Sequence, residues 1–125
     1  MKREQFEEVA QQAFDSLPDQ FRNSIENVHI AVEDYPSEDQ IGRTRSDKYS
    51  LLGLYQGIPL TNRGTWYGVN PTIPDIITLF QKNIESVCRN EGEVQNKIVE
   101  VLFHEIGHYF GMDEKQIRNA MKDFQ

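Results

Sequence analysis

The first hydrophobic positions fall at helical intervals. Phe6, Val9, Ala10, Ala13, Phe14 and Leu17 recur every three or four residues, with Glu, Gln and Lys between them. That period predicts an amphipathic helix. Pro18 disfavours helical backbone in the residue before it, so the helix should stop near Ser16 or Leu17. Val28, Ile30 and Val32 then alternate with His29, Ala31 and Glu33, the pattern of a half-buried strand with His29 on its wet side. Asp34 to Lys48 is polar, holds Pro36 and Gly42, and reads as an exposed loop. Tyr49 to Tyr55 is a second strand candidate, interrupted by Gly53. Gln56 to Pro74, rich in Gly and Pro around Trp66 and Tyr67, reads as a long loop, and loops of that length are often functional. Ile76 to Phe80 reads as a third strand, and Ile84, Val87 and Cys88 as a brief helical turn.

The helical period returns at Glu93. Val94, Ile98, Val101, Leu102, Ile106 and Tyr109 share a wide apolar arc, which Val99, Phe103 and Phe110 extend. An arc that broad belongs to a central, mostly buried helix. Gly111 sits where a left-handed cap would end it. Asp113, with Gln116 three residues on, resembles the capping box of a last helix, whose apolar face is Ile117, Ala120, Met121 and Phe124.

Composition narrows what such a chain can do. The 125 residues suit one domain, 1–125, with a single core. Thirteen basic against 20 acidic residues leave a net charge of −7, which argues against nucleic-acid binding. No apolar run approaches a membrane span, and the N-terminal segment lacks the apolar middle of a signal peptide. Cys88 is the only cysteine, so no internal disulfide is possible and a reducing cytoplasm is the expected location. A monomer is expected.

The chemistry-bearing feature is His104-Glu105-Ile106-Gly107-His108, an H-E-x-x-H sequence inside the strongest helix. A spacing of four puts both imidazoles on one side of the helix, one turn apart, where they can share a zinc ion. Glu105 lies about 100° round from His104 on an ideal helix, so it can approach a water on the metal without ligating the metal. It would take that water's proton as the water attacks a carbonyl, and could return it to the leaving amine.

A catalytic zinc takes three protein ligands, so a third must come from elsewhere. Gly111 would let the chain turn back sharply after His108. Glu114 stands six residues beyond His108, the position of the third ligand in H-E-x-x-H-x-x-G-x-x-H sites. Asp113 is the competing candidate, with N-capping of the last helix as its other role. Asp123 is a more distant option.

On these residues the chain resembles the minimal bacterial zincin-like metallopeptidases, with their H-E-x-x-H-x-x-G-x-x-acid motif. The similarity extends to Leu52-Gly53-Leu54-Tyr55-Gln56-Gly57-Ile58-Pro59-Leu60-Thr61, to Pro74 through Phe80, and to Leu17-Pro18, Phe21 and Val28 to Asp34. The resemblance implies an α+β fold, with a short mixed sheet against the active-site helix and helices at both ends of the chain. It implies His104 and His108 as zinc ligands, Glu105 as catalytic base, and an acidic third ligand after Gly111. It further implies that an extended peptide adds to an edge strand. Ile76 to Phe80 is expected to be that strand, with Ile77 among the substrate-binding residues. Tyr67 and Arg63 are candidates to donate a hydrogen bond to the reacting carbonyl. Metzincins carry a separate methionine turn, whereas Met112 here lies within the motif, and the 17 residues after His108 leave room only for a shallow cleft. The leading expectation is a zinc-dependent peptidase. The alternative is a non-catalytic zincin-like domain that binds a peptide or protein partner.

Overall fold

The computed structural model describes residues 1–17, 19–22, 28–44, 46–57 and 75–124. Helix α1, Arg3–Asp15, buries Phe6, Ala10, Ala13 and Phe14 at the spacing its sequence announces, and stops just before Leu17-Pro18. Arg3 fastens it to the rest of the fold. Its Nε donates to Gln81 Oε1 at 2.8 Å and its Nη1 to the Val32 carbonyl at 3.0 Å, while Nη2 pairs with Asp34. A short helix α2, Asp19–Arg22, follows, unannounced by any periodicity. It sets the Phe21 ring edge-on to Phe103 and Phe110.

Among the described residues the sheet has three strands: β1, Val28–Glu33; β2, Gly53–Gln56; and β3, Asp75–Phe80. Their order is β1-β3-β2, with β1 parallel and β2 antiparallel to β3, so the sheet is mixed. Val28, Ile30 and Val32 pair with Asp75, Ile77 and Leu79 and pack on the core, while His29 and Glu33 are exposed. The expectation that β3 is an edge is corrected. It is the middle strand, with β1 on one side and β2 on the other. Its near-continuous apolar run suits a strand covered on both faces: Ile77, Thr78, Leu79 and Phe80 are buried, and Ile76 is exposed.

Two further expectations change. Asp34 to Lys48 is not all loop, because it contains helix α3, Glu38–Thr44. Ser37 starts it with a reciprocal cap: Ser37 Oγ accepts from the Gln40 N–H at 3.2 Å, and Gln40 Oε1 accepts from the Ser37 N–H at 2.8 Å. That local gain outweighs the helix-weakening Gly42. The second strand also starts later than Tyr49. Residues 48–50 form a turn, and the buried amide of Asn83 donates to the carbonyls of Lys48 and Leu51, each at 2.8 Å. Those carbonyls therefore do not enter the ladder.

Helix α4, Gln81–Ser86, follows β3 directly. Helix α5, Glu91–Tyr109, is capped by Asn90, whose side chain accepts from the Glu93 N–H, and it buries Val94, Ile98, Val101, Leu102 and Ile106 against α1 and the sheet. Helix α6, Glu114–Phe124, packs back on α5 through Ile117, which is buried. Among the described residues, no helix is long and apolar enough to cross a membrane.

Candidate metal centre

The site sits on the last two turns of α5, and its setting begins with a glycine. A Cβ at Gly53 would lie 2.6 Å from Val101 Cγ1 and 3.3 Å from the Thr78 carbonyl oxygen. Only a residue without a side chain lets α5 approach β2 this closely. The same approach brings the Glu105 side chain under β2, where Glu105 Oε1 accepts the Tyr55 N–H at 2.9 Å. Glu105 is buried, with 11 % of its side chain exposed.

The helical spacing of four does what the sequence suggests. The rings of His104 and His108 stand 4.6 Å apart between centroids, tilted by 48°. Ligand atoms of His104, Glu105 and His108 all lie within 4.8 Å of one another. His104 is half-buried and His108 is exposed. Glu105 Oε2 lies 3.1 Å from His104 Nδ1, and Glu114 Oε1 lies 2.6 Å from His104 Nε2. A carboxylate at each ring nitrogen favours the imidazolium. The Glu105 hydrogen bond is the largest cause; burial opposes it and Glu114 adds to it, and together they raise His104 from 6.5 to about 9.

The turn after α5 explains how Glu114 arrives there. Gly111 adopts φ 72°, its N–H bonds to the His108 carbonyl at 3.0 Å, and the Met112 N–H bonds to the Gly107 carbonyl at 2.9 Å. This pair of bonds is a Schellman motif, which ends α5 and reverses the chain. Asp113 then caps α6: its Oδ1 accepts the Gln116 N–H at 2.8 Å, while Gln116 Oε1 accepts the Asp113 N–H at 2.8 Å. That engagement holds the Asp113 carboxylate at the helix start. Glu114, the first residue of α6, faces His104 with 66 % of its side chain exposed.

Two imidazoles and nearby carboxylates form the nitrogen and oxygen donor set that zinc accepts, so the residues present fit that ion. The sequence matches the zincin-like metallopeptidase family over residues 25–122, most of its length. The chain belongs to that family. No individually curated protein matches it. The zincin-like assignment and the mixed sheet beside α5 agree with the expected α+β fold.

Beside His104, Glu105 and Glu114 lies a cavity of about 370 Å³. Leu51, Leu52, Val101, Ile117 and Met121 give it apolar walls, and Glu100 and Arg118 also line it. No pattern in the sequence marks these as site residues, nor Tyr55. The single available signal was Gly53, since a glycine inside a strand pattern marks a close approach of backbone. Of the expected substrate contacts, Ile77 is only 1 % exposed and packs in the core, so its side chain is not available to a peptide. Arg63 and Tyr67, with Trp66, lie outside the described residues.

Proposed function

We propose that this protein is a zinc-dependent peptidase whose catalytic base is Glu105. The observation that carries the reading is the convergence of His104, Glu105 and His108 within 4.8 Å, with His104 and Glu105 lining a largely apolar cavity. His104 and His108 would hold the ion, with Glu114 as third ligand. The contact of Glu105 with His104 Nδ1 leaves Nε2, the nitrogen beside Glu114, as the ligating atom. When bound, zinc supplies Lewis acidity, polarising a carbonyl and lowering the pKa of water. Glu105 takes the proton of the attacking water and passes it to the leaving amine. The cavity would receive an apolar side chain of the substrate next to the scissile bond, and β2, an edge of the sheet among the described residues, offers its outward backbone groups to an extended peptide.

One observation favours the second reading, a zincin-like domain that binds peptides without cutting them. Both oxygens of Glu105 are already engaged, one by the Tyr55 N–H and one by His104. A single experiment separates the two. Metal analysis of the purified protein should find about one zinc per chain, removable by chelation. Loaded protein should cleave a library of quenched fluorescent peptides, and Glu105→Gln should lower that cleavage by about 10²- to 10⁴-fold while keeping the metal. Zinc retention with no cleavage by the unaltered protein would leave the binding domain as the function, and absence of zinc would overturn the metal centre itself.

A further inference from the structure

The bond between Tyr55 and Glu105 joins two parts of the machinery that strand addition would use at once. Just before β2, the Leu52 carbonyl accepts the Phe80 N–H at 3.0 Å, and within it Leu54 stands opposite Thr78. Backbone groups in an antiparallel pair alternate between facing the partner and facing away. Leu52, Leu54 and Gln56 therefore face β3, and the amide of Tyr55 faces outward. That outward amide is a donor that an incoming peptide strand would need, and it donates instead to Glu105 Oε1 at 2.9 Å. Tyr55 is itself held in place. Its hydroxyl donates to the buried Asp75 at 2.8 Å, and its ring lies edge-on to Tyr109 of α5. The strand cannot easily swing away to free the amide by another route.

We infer that β2 restrains Glu105 through the Tyr55 amide, and that a peptide adding to β2 releases it by taking that hydrogen bond. In the free protein the carboxylate is parked, with one oxygen on the strand and the other on His104. A peptide carbonyl that accepts the Tyr55 N–H displaces Oε1 and leaves that oxygen free to accept a proton. The base thus becomes competent only when a backbone lies along the edge strand. Tyr55 is a positioning residue here, acting through its main chain. The inference rests on the peptide-docking half of the function proposed above and not on cleavage.

The competition can be measured without activity. The probe is the uncharged peptide acetyl-Ala-Ala-Leu-Ala-Ala-amide, its leucine suited to the apolar cavity, titrated by NMR into chelator-treated protein. Glu105→Ala removes the competing acceptor, so the peptide should bind about tenfold more tightly than to the unaltered protein, the scale of one hydrogen bond. Glu105→Gln keeps an acceptor oxygen and loses the charge, so its affinity should stay within about threefold of the unaltered protein. The Tyr55 amide should be protected from exchange in the free protein, unprotected in free Glu105→Ala, and protected again there once peptide is added. Equal affinities for the unaltered protein and Glu105→Ala would overturn the inference. So would equal tightening in Glu105→Gln, which would trace the effect to charge. Should Glu105→Ala not fold, an unprotected Tyr55 amide in the free unaltered protein would overturn it by itself. Peptide binding nowhere would overturn it together with docking on β2, whereas competition without cleavage would sink only the peptidase.

Discussion

Glu105 and Glu114 meet the same imidazole from opposite ring nitrogens, and their surroundings differ in almost every respect. Glu105 lies within α5, buried beneath β2, with a backbone amide on one oxygen and His104 on the other. Glu114 lies one residue beyond a helix cap, largely exposed, with one oxygen against His104 Nε2. On the proposed function, the difference suits the two carboxylates to different tasks, which formal charge cannot tell apart. A base must be held at a fixed distance from the reacting atoms, and the interior of a packed helix provides that. A third ligand must adjust to the ion's preferred distance, and an exposed first-turn side chain can do so.

Removing each carboxylate in turn tests this division most severely. Glu114→Ala should weaken zinc binding by about 100-fold or more, read by competition with a chromogenic chelator, since even outer partners of metal ligands are worth 10- to 100-fold. Glu105→Gln should change zinc affinity by no more than about threefold, because its contact to His104 orients a ligand and the amide can still accept. If Glu105→Gln loses the metal and Glu114→Ala keeps it, the roles are reversed, and His104, Glu105 and His108 are themselves the ligand set.

A smaller effect follows from having both carboxylates on one ring. His104 is raised to about 9 in the metal-free protein, so at neutral pH zinc must displace a proton. Apparent affinity should therefore climb about tenfold per pH unit from pH 7 toward 9 and flatten above it. Without metal the sign is opposite. A histidine raised in the folded state stabilises the fold fully below its ordinary 6.5, and that contribution is lost as pH rises through about 9. Denaturant titrations of chelated protein at pH 6 and pH 9.5 should show the decline, and Glu114→Ala should shrink it. A pH-independent affinity between 7 and 9 would mean that His104 carries no such proton.

How far the sequence discloses this site depends on how local each part is. The two histidines, the glycine turn and the Asp113–Gln116 cap all lie within a few residues of one another, and each is legible from spacing alone. The α3 cap, Ser37 with Gln40, is equally local but was masked by Pro36 and Gly42, which argue for loop. The Tyr55–Glu105 bond spans 50 residues and depends on the sheet order, which no short-range pattern encodes. The central position of β3 leaves one trace, an apolar run without alternation. Read as the mark of a strand covered on both faces, that run argues against an edge and so against peptide docking along Ile76 to Phe80.

The gentlest test concerns Asp113, the other acid after the glycine turn. Its carboxylate and the Gln116 side chain exchange hydrogen bonds of 2.8 Å with each other's backbone amides. Losing an N-cap costs about 1 kcal/mol, so Asp113→Ala should lower unfolding stability by about that much in a urea titration. Zinc affinity should fall only as far as α6 frays, by less than about threefold, because the cap and not the ligand is lost. Asp113→Asn keeps a capping oxygen and should restore most of the stability. A variant that keeps its stability but loses the metal would reassign the third ligand to Asp113, and would mean that the cap gives way when the ion binds.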